Sequence, residues 1–390
     1  MSPEKYVYLD YAATTPLDAR VLAAMQPFWS DRFGNPSSLH QAGQVAEAAV
    51  EASRRTIAGL LGCAPEEVVF TSGGTESDNL AVRGAALAEA QSRGADHILI
   101  SPVEHHAVLR TAEDLAAHHG FQLELLPVDA FGRVDPNEVR RRLRPTTAVV
   151  SVIYGNNEIG TLNPIDAIGA VCHDAGIPFH SDAVQAAAHL RLDVQRLNVD
   201  LLSIGGHKFY GPKGVGALYC REGLPIQPTA TGGGQEHGLR PGTHNVPLIV
   251  GLAEAFRIAQ EAAAASANGT SLRDRLLAHV PEAAEDVRIT GHPTERLPNH
   301  ASFAVRNVDG NHLIAALDRA GFACSTGSAC KTGDPEPSDV LTALGLSREW
   351  ALGSLRLTVG RPTRPEDIEA FLDVFPRLVE NVRAIGAGAG

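Results

Sequence analysis

A chain of 390 residues that is 44% hydrophobic and 20% charged can bury one large core and a smaller second one. Its formal net charge of -12 excludes the lysine and arginine surplus on which nonspecific binding to nucleic acid or anionic membrane depends. No apolar run approaches the ~20 residues that span a bilayer and no signal region opens the chain, so we expect a cytoplasmic protein with a small-molecule or protein partner and no membrane contact.

Residues Tyr6 to Tyr11 read as an extended arm, followed by Thr14-Thr15-Pro16 and a helix from Asp18. Phe33-Gly34-Asn35-Pro36-Ser37-Ser38 is a loop with two breakers, and an alanine-rich amphipathic helix follows from about Gln44 to Leu61. Next, the strand Val68-Val69-Phe70 runs into Thr71-Ser72-Gly73-Gly74-Thr75 and at once into a helix. Free backbone N–H groups and the Thr75 hydroxyl then converge at a helix N-terminus, an arrangement suited to phosphate.

Strand and helix alternate from there. Strands are expected at 97–101, 122–127, 148–153, 177–180 and 199–204, with helices at 108–118, 137–143 and 165–175. That alternation predicts a mostly parallel sheet covered on both faces, with ligands at the carboxyl ends of its strands. Just past those ends lie Thr75, Glu104-His105-His106, Asn156-Asn157, Asp182 with Gln185, and His207-Lys208. Lys208, set on a loop by Gly205-Gly206, is placed to form a Schiff base with an aldehyde, because a desolvated amine is nucleophilic. Asp182 suits a pyridinium nitrogen, His105 a stacking position on the ring, and Asn157 and Gln185 the phenolic oxygen of pyridoxal phosphate. The His105-His106 pair lacks a third ligand at metal spacing, so no metal is expected.

Beyond Lys208, residues 215–220 read as an antiparallel strand, and Thr231 to Thr243 form a glycine-rich loop. A long helix over 246–265 leads through Ser266-Ala267-Asn268-Gly269-Thr270 to a small α+β unit with strands at 301–305 and 355–359 and helices at 311–320 and 365–384. The last five residues, Gly386 to Gly390, are expected to be disordered. The five cysteines, Cys63, Cys172, Cys220, Cys324 and Cys330, are odd in number and scattered, which predicts free thiols. Cys330 stands apart, in Ser325-Thr326-Gly327-Ser328-Ala329-Cys330-Lys331-Thr332-Gly333, where small turn-forming residues bury a thiol poorly.

Thr71 to Asn79, Asn156-Asn157-Glu158-Ile159-Gly160, Gly206 to Gly214 and Gly327-Ser328-Ala329-Cys330 together resemble the cysteine desulfurases, pyridoxal-phosphate enzymes of the class V aminotransferase type. The resemblance runs from Tyr8-Leu9-Asp10-Tyr11-Ala12-Ala13-Thr14 to Leu355-Arg356. It implies an α/β chain of type I fold, with a seven-stranded, mostly parallel sheet in a large domain at 15–258 and a small domain from 1–14 and 259–390. It implies a homodimer in which Lys208 carries pyridoxal 5'-phosphate, Asp182 pairs with its nitrogen, His105 stacks and shuttles protons, and Gln185 and Asn157 hold its phenolic oxygen. Gly74, Thr75, His207 and the partner subunit's Thr243 would hold the phosphate, Arg356 and Asn35 the substrate carboxylate, and Cys330 would take sulfur from L-cysteine as a persulfide for a protein acceptor.

Two positions depart from the resemblance. Gly205 stands where many relatives carry serine, and Lys331 where a small hydroxyl residue is commoner. A cation at Lys331 would favour the Cys330 thiolate. Selenocysteine cleavage or small amino-acid transamination needs Lys208, Asp182 and Arg356 equally, although transamination has no use for Cys330. A noncatalytic sulfur-relay or regulatory protein would not need Lys208 and Asp182.

Overall fold

The computed structural model describes residues 6–265, 268–327 and 336–388. Its twelve strands are, in chain order, β1 (Val7–Tyr8), β2 (Val68–Thr71), β3 (His97–Ile100), β4 (Gln122–Leu125), β5 (Thr147–Ser151), β6 (Phe179–Asp182), β7 (Leu201–Gly205), β8 (Gly216–Cys220), β9 (Val287–Ile289), β10 (His300–Val305), β11 (Phe322–Ala323) and β12 (Ser354–Thr358). Seven of them form one sheet in the order β2-β8-β7-β6-β5-β3-β4. Only β8 runs against its neighbours β2 and β7, so the other six strands end on one edge. This is the α/β, mostly parallel arrangement that the alternating pattern predicts.

Residue alternation explains why both faces are covered. Val68 and Phe70 of β2, Leu202 and Ile204 of β7, and Ala217 and Tyr219 of β8 enter one core with the helices Gln41–Leu61, Ile165–Asp174 and Val246–Ala265. Their neighbours Val69, Leu201, Leu218 and Cys220 face the opposite way, onto the helices Gly74–Arg93 and His106–His119. Burying a Val, Leu, Ile or Phe side chain contributes roughly 1.5–3 kcal/mol, so register is fixed from both sides.

A separate core joins β9, β10 and β12 with the helices Asn268–Ala283, Gly310–Arg319 and Pro365–Gly388. Phe303, Leu313, Leu355, Leu357, Phe371 and Phe375 fill it. The N-terminal arm belongs to this core rather than to the large sheet. Val7 and Leu9 are buried in it, and β1 pairs in parallel with β11.

Several helix boundaries differ from expectation because of capping. His40 accepts from the Gly43 N–H at 3.3 Å through Nδ1, so its helix begins at Gln41 rather than near Gln44. His105 caps its own helix in the same manner, which starts that helix at His106 rather than Val108. The terminal helix reaches Gly388, past the expected start of disorder at Gly386. Among the described residues no helix is long and apolar enough to cross a membrane.

Candidate active site

The carboxyl edge of the large sheet collects the expected groups. After β2 the chain turns through Ser72-Gly73 into the helix Gly74–Arg93, whose first-turn N–H groups have no partner within the helix. Two glycines make the turn compact. A Cβ on Gly74 would lie 2.6 Å from Val184 Cγ2, and one on Gly205 would lie 3.3 Å from the Gly74 nitrogen. Thr75 is exposed in the first helical turn, while His207 is half-buried, with Nδ1 3.1 Å from Thr14 Oγ1. Burial and the neighbouring Lys208 and Lys213 push the His207 imidazole down to about 4, so it is neutral near pH 7.

Lys208 follows the buried end of β7 in a single 3-10 turn, Gly206–Lys208. Its Nζ donates to the carbonyls of Ala12 at 2.7 Å and Ala13 at 2.8 Å. Burial and the Arg356 cation push its pKa down to about 8, against the pull of Asp182 and Asp10. About a tenth of the amine is therefore unprotonated at pH 7, far more than for a lysine in water, as a nucleophile requires. Gln185, buried and next to Val184, also donates to Ala12 O, at 2.8 Å.

Beneath this edge lies a layer of acids. Asp182 closes β6 with Oδ1 accepting from the Val184 N–H at 2.8 Å. Ligand atoms of Asp78, His105 and Asp182 all lie within 4.8 Å of one another. Glu104 Oε1 accepts from Ile153 N at 2.6 Å, and its Oε2 and Asp78 Oδ1 are buried without a hydrogen-bond partner among the described residues. Burial raises the pKa of all three carboxyls, opposed at Asp182 by His105, the Val184 N–H and Lys208, at Asp78 by Ser203 and at Glu104 by the Ile153 N–H. Asp182, the one with a lysine and an imidazole beside it, is thus the acid best placed to hold a negative charge. His180, bonded to Ser151 Oγ at 2.8 Å and Ser203 Oγ at 3.0 Å, is pushed down to about 3 by burial and adds no charge. His105 reaches the surface, and desolvation by the protein around it lowers its pKa, helped by Lys208 and His106 and opposed by Asp182.

Arg356 reaches the same place from β12. It is buried, donates from Nη2 to Asp10 Oδ1 at 2.7 Å and from Nη1 to Asn157 O at 2.8 Å. Asn157 O also lies 3.1 Å from His300 Nε2, whereas Asn156 is structural: its Oδ1 accepts from Glu158 N and Ile159 N, and its Nδ2 donates to Val103 O. Asn35 is not brought into this group within the chain. It is exposed, with Oδ1 accepting from Ser37 N at 3.0 Å. Thr243 is exposed on the glycine-rich loop, and Cys330 and Lys331 lie outside the described residues. Sequence reasoning missed Asp10, Asp78 and the Ala12 and Ala13 carbonyls. Asp78 alone carried a signal, being one helical turn from Gly74 and so on the same face.

The family model for class V aminotransferases matches residues 7–371. The chain belongs to the class V aminotransferase family. Within that family, its relatives are cysteine desulfurases. It is 45% identical over 383 residues to the protein named cysteine desulfurase IscS of Dictyoglomus turgidum, covering 98% of this chain and 96% of the relative. Among solved structures it is similar to a NifS-like protein, with a TM-score of 0.88 and 35% identity over 96% of this chain and 99% of that one. It is also similar to a structure described as SspA in complex with cysteine, with a TM-score of 0.80 and 36% identity over 90% of this chain and 98% of that one. The class V aminotransferase fold thus accounts for both the seven-stranded sheet and the second core.

Proposed function

We propose that this protein is a pyridoxal 5'-phosphate-dependent cysteine desulfurase that works as a homodimer, moves sulfur from L-cysteine onto Cys330 and releases L-alanine. The observation that carries this reading is the convergence of Lys208, Asp182, His105 and Arg356 at one sheet edge, with the Lys208 amine pushed down to about 8.

The residues fit the cofactor. The Gly74 turn offers the free N–H groups of a helix N-terminus to a phosphate, and the glycines let this turn pack closely on Val184 and the end of β7, where a Cβ on Gly74 would meet Val184 at 2.6 Å. Gly74, Thr75, His207 and the partner subunit's Thr243 would hold the phosphate. Asp182 would keep a ring nitrogen protonated, His105 would stack, and Asn157 and Gln185 would bond the phenolic oxygen. When bound, pyridoxal 5'-phosphate supplies an electron sink for bond breaking at the substrate carbon.

The remaining chemistry belongs to the chain. Lys208 holds the cofactor and, once released, moves the proton at the substrate α carbon. Arg356, with Asn35, receives the carboxylate through its planar fork. The Cys330 thiolate forms an S–S bond to the substrate sulfur as the carbon–sulfur bond breaks, the electron pair passing to carbon, where protonation completes alanine. A protein thiol acceptor, or an added reductant, then consumes the persulfide. We propose the division at 15–258 against 1–14 with 259–390. It puts Lys208 in one unit and Arg356 and Cys330 in the other.

The test is sulfide and alanine release from L-cysteine with a reductant, for the parent and for Cys330→Ser, with the bound cofactor's visible spectrum recorded. Equimolar products, lost in Cys330→Ser while the spectrum stays, support the reading. Equal product release without Cys330, or a loaded protein that releases neither product, overturns it.

A further inference from the structure

Asp10 has no part in the chemistry above, yet it sits on the group that is to receive the substrate. Its Oδ1 is 2.7 Å from Arg356 Nη2, and Arg356 Nη1 is used by Asn157 O. Arg356 Nε is buried and without a partner among the described residues. A guanidinium offers a carboxylate two forks of parallel N–H groups, one between Nε and Nη2 and one between Nη1 and Nη2. Both include Nη2, which has one hydrogen for each fork; with Asp10 Oδ1 on one of them, a carboxylate received bidentately by Arg356 either displaces Asp10 or lies beside it, where like charges repel.

Asp10 is also fixed. The Thr358 N–H donates to Leu9 O at 2.8 Å, the Ala12 N–H to Thr358 Oγ1 at 2.9 Å, and the Ala13 N–H to Asp10 O at 3.0 Å. These bonds tie the arm to β12 two residues from Arg356. The other nearby acid, Glu158, is engaged by Ser338, whose Oγ donates to Oε2 at 2.5 Å.

We propose that Asp10 is the resident counter-ion of Arg356 and competes with the substrate carboxylate, so that it sets how tightly carboxylate ligands bind. The inference rests on the reading that Arg356 receives that carboxylate. In the resting protein Asp10 offsets the several kcal/mol that an unpaired buried cation would cost. A carboxylate ligand must displace Asp10 or share Nη2 with it, and either lowers its affinity.

Asp10→Asn keeps an oxygen acceptor for Nη2 and removes only the charge. With holoenzyme, the KM for L-cysteine and the competitive inhibition constant of 3-mercaptopropionate, a carboxylate without an amino group, are measured for the parent, Asp10→Asn and Arg356→Lys. The expected result is a fall of about tenfold in the 3-mercaptopropionate constant in Asp10→Asn, with a fall in KM and no rise in kcat, in keeping with the coupling of close charge pairs. Asp10→Ser reads the same quantities if Asp10→Asn melts early. Constants unchanged or raised in both Asp10 variants, with Arg356→Lys weakening both ligands, overturn the inference and leave Asp10 as a support for the guanidinium. Constants unchanged in Arg356→Lys overturn the reading of Arg356 itself.

Discussion

Arg54 and Glu236 form a buried, two-pronged ion pair, Nη1 to Oε2 at 2.8 Å and Nη2 to Oε1 at 2.7 Å, that joins the helix Gln41–Leu61 to the glycine-rich loop. Glu236 also accepts from the Phe70 N–H of β2 at 2.6 Å and lies 2.6 Å from His244 Nε2, next to Thr243. Glu236 and His237 both take positive φ, 49° and 57°, so the loop is strained where the pair holds it. The Thr243 loop is thus bound to the strand that ends in the Gly74 turn.

This pair predicts acid lability. The two Arg54 hydrogen bonds, His244 and the Phe70 N–H outweigh burial and hold Glu236 down at about 2. A depressed carboxyl contributes stability above its unfolded pKa of about 4.3 and loses it as pH falls through the folded value, here roughly 3 kcal/mol in all, of which about 2 kcal/mol goes between pH 4.3 and 2. Urea unfolding at steps across that range should show the loss. Glu236→Gln should be less stable than the parent near neutral pH, and its stability should fall less as pH drops from 4.3 to 2.

Lys208 predicts a different pH dependence. Because burial and Arg356 lower its pKa to about 8, the fraction of free amine rises about eightfold between pH 6.5 and 7.5 and levels off above about 9. Capture of added pyridoxal 5'-phosphate by cofactor-free protein, followed by visible absorbance, should accelerate over the same range. A midpoint near 10.5 would show an amine no different from one in water. Lys208→Ala should take up no covalently held cofactor at any pH.

Much of this architecture could be read from the chain because these strand ends are marked by local pattern, an apolar run followed by glycines and polar groups, as at Phe70-Thr71-Ser72-Gly73 and Ile204-Gly205-Gly206-His207. What escaped was long-range. Asp10 meets Arg356 across 346 positions, and Lys208 reaches the Ala12 carbonyl across 196. No periodicity encodes such contacts, and backbone carbonyls have no residue type to betray them. The arm looked like a plain extended segment because its purpose lies in its carbonyls and one acid.

The described cysteines predict selective thiol chemistry. Cys172 and Cys324 are buried and their thiols are driven far up by desolvation, while Cys63 and Cys220 are pushed up to about 12. Thiolate is the reactive form, so at pH 8 these four should resist alkylation. Iodoacetamide mapped by peptide mass spectrometry should label Cys330 first in the folded protein and all five cysteines after unfolding. Early labelling of Cys324 would contradict this burial.

Gly205 offers a gain-of-affinity test. Its backbone is extended, with φ -137° and ψ 121°, so any residue can adopt it, and the nearest atom to an added Cβ is the Gly74 nitrogen at 3.3 Å. A few tenths of an ångström of movement would admit serine and set its hydroxyl beside the proposed phosphate turn. A hydrogen bond to a charged group contributes about 1.5–3 kcal/mol, so Gly205→Ser should retain cofactor at least about tenfold more tightly. Half-saturation titration with pyridoxal 5'-phosphate reads this directly. If affinity instead falls, the backbone there cannot yield, and glycine is required at this position by the close approach of β7 to the Gly74 turn.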